Sequence, residues 1–416
     1  MSKSIFSLDV RRARKGDCLI LHYGTEEKPG LALIDGGPGQ VYKPFLRPRL
    51  VEIRKKRGLG DGDPLPVDLL MVSHIDDDHI KGILELTQEL VDAGGQSPPL
   101  VKVGNVWHNS FDDIIGNDPQ ELLSSVSASF GVTASLLPEV EAKGLDGHAA
   151  KVLASVAQGQ RLRDDTTKLK LGLNREFKGK LIMASGKTAI NMQKGLKFTV
   201  VGPMKQELAK LQEEHDKFLK SKAKKTKKAT ASFTDESAAN LSSIVVLAEV
   251  GKSRMLLTGD ARGDKILEGL ELEGLLKKGG KMHVDILKVP HHGSDRNMET
   301  VFFERVTADH YVFSGDGEHG NPERATLQML LDARKDAKLT IHLTYPIDEI
   351  DSVRKAEHDA EVEKKAKEGK KKTPWSDAKD SLKSFFVKNP AFAKKVEIVD
   401  KKKPHVIDLL PGKVGF

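Results

Sequence analysis

The sequence has little from which a disulfide-bonded or membrane-spanning scaffold could be built. Its 416 residues include a single cysteine, Cys18, which excludes an internal disulfide and a thiolate metal cluster. No apolar run approaches the roughly 20 residues that cross a bilayer. Met1–Val10 resembles a strand rather than a signal peptide. These features together predict a cytoplasmic protein without a membrane segment.

Aromatic residues are also scarce, at 5% of the chain, whereas charged residues make up 31%. The formal net charge is +7, and the positive excess is concentrated in Lys217–Lys228 and Lys364–Lys372. Such runs are typical of a solvated helix face or loop. They could equally follow a nucleic acid backbone electrostatically, although few aromatic side chains are present to stack on bases. Charge alone therefore leaves the partner open.

Short runs of β-branched and aliphatic residues, bounded by turn residues, predict an α/β fold. The predicted strands are Cys18–Tyr23, Leu31–Ile34, Asp68–Ser73, Val101–Trp107, Lys197–Val201, Ser243–Val250, Arg254–Thr258, Val284–Val289 and His310–Ser314. Helical stretches alternate with the later strands, at Gly82–Ala93, Gly263–Lys278 and Pro322–Ala337. This alternation predicts sheets that are covered by helices.

Three segments differ from these strand-rich parts. Residues 112–187 have a mostly helical, amphipathic pattern, and residues 205–231 have the pattern of a charged helix followed by a lysine-rich loop. Residues 346–416 are predicted to form a charged helical C-terminal extension. We therefore expect the chemistry in a domain of residues 1–345 that carries the first two segments as insertions.

The strongest chemical signal follows the predicted strand Asp68–Ser73. In the sequence His74-Ile-Asp-Asp-Asp-His79, every residue except the isoleucine can bind a metal ion. Crowding carboxylates and imidazoles in this way is unfavourable unless a cation compensates the charge. The alternative is an acidic helix N-cap, which needs one carboxylate and no flanking histidine. The cluster therefore favours a metal site.

This pattern resembles the HxHxDH signature of the metallo-β-lactamase superfamily, here in the form HxDxDH. The surrounding motifs resemble the soluble hydrolase domain of bacterial competence (DNA-uptake) channel proteins and its stand-alone relatives. They occur in the same order, at Gly16–Cys18 with Leu33–Gly37, Asn240 through Thr258–Asp260, Leu287–Ser294, and Val312–Gly315 with His319, Asn321 and Pro322. The resemblance covers about half of the chain. It implies an αββα sandwich.

The resemblance also implies a site for two divalent metal ions, zinc or manganese. The implied ligands are His74, Asp76, Asp78, His79, Asp260 and His319, with Asp260 bridging both ions. Asp78 and His292 are the implied catalytic residues, and His292 would contact the substrate phosphate or protonate the leaving group. Asp35, His291 and Ser294 are expected to support the ligands or contact substrate. Which of the three later histidines, His291, His292 and His319, bind metal stays open.

Asp76 stands where the commonest superfamily pattern has a second histidine, and no mid-chain Gly-His-x-x-Gly-His segment is present. The implied site is therefore rich in oxygen ligands and suits manganese or magnesium as well as zinc. The remaining histidines, His22, His283 and His342 among them, have no supporting context.

Three functions are compatible with these features. A phosphodiesterase, most simply a nuclease, fits a two-metal site that activates hydroxide. A hydrolase of small esters, lactones or lactams fits the same fold, because a fold does not specify a substrate. A binding protein with a vestigial metal site is the third, and the retained cluster of Asp78, His79, Asp260 and His319 disfavours it.

Deletion of Lys217–Lys228 is expected to leave folding and metal content intact, because this stretch has few apolar residues to bury. If the lysines bind nucleic acid, the deletion should weaken binding most at low salt. Affinity measured against salt concentration checks this prediction. An unchanged affinity and salt slope would show that the lysines form only a solvated segment.

Overall fold

The computed structural model describes residues 2–94, 98–109, 147–186, 188–209 and 242–412, and only the backbone of residues 147–157. Of the two predicted insertions, residues 112–146, 187 and 210–231 lie outside these residues. They include Lys217–Lys228. Asn240 also lies outside. Within the described part of the chain, no helix is long and apolar enough to cross a membrane.

The strands are short and are distributed along the whole chain. They are β1 (Ser4–Val10), β2 (Leu19–Thr25), β3 (Pro29–Ile34), β4 (Leu65–Val67), β5 (Leu69–Met71), β6 (Val101–Val103), β7 (Asn105–Trp107), β8 (Gly172–Leu173), β9 (Ala189–Asn191), β10 (Lys197–Gly202), β11 (Val245–Val250), β12 (Ser253–Leu257), β13 (Met282–Lys288), β14 (Val306–Phe313), β15 (Thr340–Leu343), β16 (Val396–Ile398) and β17 (Val406–Asp408).

The helices lie between these strands. They are α1 (Arg47–Lys56), α2 (Asp77–Ala93), α3 (Gly147–Lys168), α4 (Gly263–Leu272), α5 (Thr300–Arg305), α6 (Arg324–Arg334), α7 (Ile347–Lys367), α8 (Asp377–Asp380), α9 (Leu382–Lys388) and α10 (Pro390–Ala393). The predicted α/β class is confirmed by this mixture of helices and mixed sheets.

Two large mixed sheets form the centre of the molecule. The first has the order β17-β1-β2-β3-β5-β7-β8, and the second has the order β16-β15-β14-β13-β12-β11-β10-β9. The hairpin predicted from the first two sequence runs is present, since β2 and β3 pair antiparallel with Leu19 opposite Ile34. The single strand predicted at Val101–Trp107 is wrong, because Gly104 divides it into β6, which pairs with β4, and β7, which pairs with β5.

Both faces of each sheet are covered, as the alternation along β2 illustrates. Leu19 and Leu21 belong to a core that contains side chains of both sheets, such as Phe198 and Val246. Ile20, which points to the opposite face, packs in the core beneath α1 and α2. A third core lies between the outer face of the second sheet and α4, α5, α6, α7 and α9. Helices therefore flank two sheets that pack face to face.

The charged C-terminal segment, predicted from sequence to be helical, also contains strands. After α7 to α10, it contributes β16 to the edge of the second sheet and β17 to the edge of the first. Their few residues, VEI and VID, are too short to give a period-two signal. The chain therefore connects the two sheets through its last described residues.

The start of α2 is held against the end of β3 by a close backbone contact. Gly36 N–H donates to the His79 carbonyl at 2.8 Å, and Gly82 N–H donates to the Gly37 carbonyl at 2.9 Å. A Cβ atom on Gly82 would overlap the carbonyl oxygen of Gly36. This contact places the loop that follows β3 beside the His74–His79 cluster.

We expect Gly82→Ala to lower the free energy of unfolding by about 1–3 kcal/mol, as overpacking does. Alanine is by itself favoured in a helix by about 1 kcal/mol over glycine, so a net loss identifies the contact as its cause. Gly62→Ala is the control, because a Cβ there meets nothing within 4 Å. Chemical denaturation of both variants decides the matter, and equal stabilities would refute the packing argument.

Candidate metal centre

The predicted site residues lie at the carboxyl ends of strands in both sheets. His74 and His79 follow β5, Asp260 follows β12, and His291 and His292 follow β13. Because β5 runs parallel to β3, and β13 parallel to β12 and β14, these strand ends meet along one edge. Loops at such edges are where α/β proteins place binding groups. The topology therefore explains why distant segments come together.

Asp260 lies at the centre of the cluster, and its two carboxylate oxygens face different imidazoles. Its Oδ1 lies 3.2 Å from His79 Nε2 and 3.3 Å from His292 Nε2. Its Oδ2 lies 3.7 Å from His74 Nε2 and 3.7 Å from His291 Nε2. Two ligands that share one tetrahedral ion at about 2.0–2.2 Å are roughly 3.4 Å apart. The separations on both sides of Asp260 therefore fit a carboxylate that bridges two ions.

Two further carboxylates complete the groups on each side. Asp78 Oδ2 lies 3.6 Å from His292 Nε2, and Asp76 Oδ2 lies 3.8 Å from His74 Nε2. Asp76 occupies the N-cap position of α2, but its side chain accepts no capping hydrogen bond. Asp77 is paired with Lys81 one helical turn away. The helix-cap alternative therefore does not explain the run of aspartates.

Asp35 holds the imidazoles of the first loop in one orientation. Its carboxylate accepts hydrogen bonds from Ser73 N–H and Ser73 Oγ, each at 2.7 Å, and lies 2.8 Å from His79 Nδ1. Because a carboxylate only accepts, the proton of His79 is on Nδ1. Ser73 Oγ, whose hydrogen goes to Asp35, accepts in turn from His74 Nδ1 at 3.2 Å. The Nε2 lone pairs of His74 and His79 therefore point towards Asp260.

A second buried network orients His292 and was missed from the sequence. His292 Nδ1 lies 2.9 Å from Ser314 Oγ, which donates to Asp17. Asp17 is also 2.9 Å from the ammonium group of Lys288, and both side chains are buried. A lysine inside the otherwise apolar strand end Ile286–Val289 was the available signal. Because Ser314 Oγ donates its hydrogen to Asp17, it accepts the hydrogen bond from His292. The proton of His292 is therefore on Nδ1, and Nε2 faces Asp260.

These two networks leave a set of buried polar atoms that face one another and make no hydrogen bond within the described residues. They are His74 Nε2, His79 Nε2, His292 Nε2 and Asp260 Oδ1. Lone pairs on nitrogen and oxygen that face each other repel unless a proton or a cation lies between them. An imidazole and carboxylate set of this kind fits zinc or manganese. The residues present therefore fit the divalent ions that the sequence pattern implies.

The electrostatics of the cluster agree with this arrangement. Burial opposes ionisation of Asp260, yet His292 and His79 hold its pKa well below the usual range. Burial also favours neutral His79, but Asp260 and Asp35 raise its pKa well above the ordinary value. Burial, together with the adjacent His79, lowers the pKa of His74 to about 4. Without a cation, protonated imidazoles balance the negative charge of the carboxylates.

The three later histidines are placed differently from one another. His291 and His292 both approach Asp260, whereas the expectation for His292 was a role in proton transfer outside the ligand set. His319 does not join the cluster: its side chain is exposed, and its Nε2 lies 3.4 Å from Lys15 Nζ. It lies in a turn with positive φ, next to Glu318, which pairs with Arg14 and Lys15. His291 and His292 therefore lie beside Asp260, whereas His319 does not.

Ser294 follows the two histidines after Gly293. It is buried, and its N–H donates to the His291 carbonyl at 2.8 Å. The hydrogen bond closes a tight turn in which His291, His292 and Gly293 all have positive φ. The turn directs both imidazoles towards Asp260. The described position of Ser294 is therefore that of a residue that shapes the loop.

No protein-family profile matches the chain. Microtubule-associated protein 1A of Homo sapiens is 40% identical over 57 residues, which is 14% of this chain and 2% of that protein. Microtubule-associated protein futsch of Drosophila melanogaster is 38% identical over 77 residues, which is 17% of this chain and 1% of that protein. The chain thus matches only a small part of the length of these relatives, and these matches do not show a family for it.

We expect the cluster around Asp260 in chelator-treated protein to bind two equivalents of zinc or manganese per chain, because Asp260 presents one oxygen to each group of imidazoles. Asp260→Asn should lower the stoichiometry, since the amide removes one negative charge and one acceptor oxygen. Asp264→Asn is the control, because Asp264 is an exposed residue that pairs with Arg262. Equilibrium dialysis followed by metal analysis measures the effect. Equal metal content in the two variants would contradict the bridging role.

Proposed function

We propose that the protein is a metal-dependent hydrolase with the αββα sandwich of the metallo-β-lactamase superfamily, and that it acts as a phosphodiesterase. The observation that supports this proposal most is the central position of Asp260, with imidazoles facing both of its oxygens. The helix-flanked pair of sheets and the cluster at their edge agree with the sequence resemblance. A nuclease is the simplest form of this activity.

The proposed ligands form two groups around Asp260. His79 and His292 face its Oδ1, and His74 and His291 face its Oδ2. Asp78 is close to both groups, since it lies 3.6 Å from His292 Nε2 and within 4.8 Å of ligand atoms of His74 and His79, and Asp76 lies 3.8 Å from His74 Nε2. Two divalent ions bound there would supply a hydroxide at neutral pH and would neutralise charge that develops on the reacting phosphate. Asp35 and Asp17, which orient the imidazoles, would keep the ligand atoms in place.

The proposed ligands differ in their access to solvent. The side chains of His74, His79, His292 and Asp260 are at most 3% exposed, whereas those of Asp78, His291 and Asp76 are 18%, 24% and 33% exposed. Substrate would therefore approach from the side of these three residues. The buried side chains exclude water from the remainder of the cluster, which strengthens their electrostatic interactions.

Lys15 lies beside the cluster, because Asp17 N–H donates to the Asp78 carbonyl at 3.3 Å and a Cβ atom on Gly16 would overlap that same carbonyl. Its ammonium group lies 3.4 Å from Glu318 Oε2 and 3.4 Å from His319 Nε2. Because Glu318 compensates this charge, Lys15 does not distinguish a phosphodiester from a neutral ester, and the preference for a phosphodiester rests on the sequence resemblance.

We expect hydrolysis of bis-p-nitrophenyl phosphate, and of DNA or RNA, to require divalent metal and to be lost in Asp78→Ala. The reason is that Asp78 lies 3.6 Å from His292 Nε2, within the first proposed group. Rates are measured for these substrates and for a neutral p-nitrophenyl ester. Asp77→Ala is the matched control, because the adjacent carboxylate faces Lys81 instead.

Several outcomes would count against the proposal. Preferential turnover of the ester would identify the alternative hydrolase. Equal rates for the Asp77 and Asp78 variants would remove Asp78 from the site. A phosphodiester rate that does not depend on added divalent metal would exclude the two-metal mechanism.

A further inference from the structure

A second group of histidines lies where the C-terminal segment pairs with β15 of the second sheet and with β1 of the first. His342 Nδ1 lies 2.8 Å from His405 Nε2 and 3.7 Å from Glu397 Oε2. The three ligand atoms all lie within 4.8 Å of one another. None of these residues belongs to the cluster around Asp260. We propose that His342, His405 and Glu397 form a separate zinc site.

The sheet register brings these donors together. His342 on β15 is directly opposite Glu397 on the parallel strand β16. Residues that are paired in this way point to the same face of a sheet. His405 comes from the segment that leads into β17, and its carbonyl accepts a hydrogen bond from Val10 N–H of β1 at 2.9 Å. His342 and Glu397 therefore come from the second sheet, and His405 comes from the segment that enters the first sheet at β17. Zinc bound there would link the edges of the two sheets.

The chemistry of the donors fits zinc. Two imidazoles and one carboxylate form a known zinc ligand set, and they leave a fourth position for water. His342 Nε2 lies 2.9 Å from His310 Nδ1 on β14. With zinc on Nδ1, His342 Nε2 carries the proton and donates to His310, which is the outer hydrogen bond that metal-binding imidazoles usually make.

The exposure of the three donors also fits a site that is filled from solution. His342 is buried, His405 is half-buried, and the side chain of Glu397 is 62% exposed. Burial lowers the pKa of His342 to about 3, and the neighbouring histidines add to this effect.

The surface group of His283, Asp285 and Asp309 is a useful contrast. It also brings three donor groups together, but its members lie on β13 and β14 with His283 and Asp309 exposed. It has no buried imidazole and no third chain segment.

The alternative for His342 is a simple row of hydrogen bonds from His310 to His405, which would have no dependence on zinc.

The test is the zinc content of the full-length protein after equilibrium dialysis, compared between the wild type, Glu397→Gln and His405→Gln. Each variant is expected to bind one zinc per chain fewer than the wild type. Zinc should also raise the unfolding temperature of the wild type more than that of either variant. Glu397→Gln decides the matter if His405→Gln does not fold, because its exposed side chain contributes little to the core. His358→Gln, at a half-buried histidine on α7, is the matched control and should retain wild-type zinc content.

Identical zinc content and identical zinc-dependent stabilisation in the wild type and both variants would overturn the proposal. This outcome is independent of the centre around Asp260. If that centre binds no metal, the difference of one zinc between wild type and variants remains. If only the C-terminal site is absent, Asp260→Asn still loses metal while Glu397→Gln does not.

Discussion

Imidazole nitrogens that face a buried carboxylate are costly to place inside a protein when they have lost water and gained no hydrogen bond. In the described part of the chain, His74 Nε2, His79 Nε2, His292 Nε2 and Asp260 Oδ1 have this arrangement, and much of the surrounding structure maintains it. Asp35 and Ser73 fix two imidazoles from the first sheet, and Asp17 fixes a third through Ser314. These contacts orient the lone pairs towards one another and prevent relaxation. A cation would relieve the resulting repulsion.

The sequence could predict the parts of this site that are local. The strand Asp68–Ser73 and the run that follows it appear within a dozen residues, so their pattern identified the first half of the cluster. The later residues depended on a resemblance between ordered motifs, and there His319 and His292 could not be separated. The choice between them depends on the loop after β13, which brings His292 Nε2 to 3.3 Å from Asp260, and on the ion pairs of Glu318 beside the exposed His319. Neither leaves a periodic signal.

Interactions between distant segments were not accessible in the same way. Asp17 and Lys288 form an ion pair across about 270 residues. Each lies inside a motif of the resemblance, at Gly16–Cys18 and Leu287–Ser294, but the order of the motifs does not show that the two side chains are in contact. His342 gave no signal because its partners lie on β16 and before β17, strands of three residues that carry little periodicity. Burial of charge in pairs is a property of the folded state. It can be recognised in a sequence only where the partners are close along the chain.

The pairing of β1 with β17 has a consequence for how the chain acquires its structure. Ser7 lies opposite Asp408, and Leu8 opposite Ile407, so an edge of the first sheet is completed by residues that the ribosome adds some four hundred positions later. Closing so long a loop is entropically slow and raises the contact order of the fold. Until then β1 has an unpaired edge that can recruit other strands. A nascent chain of this protein would therefore benefit from protection of β1 until β17 has been synthesised.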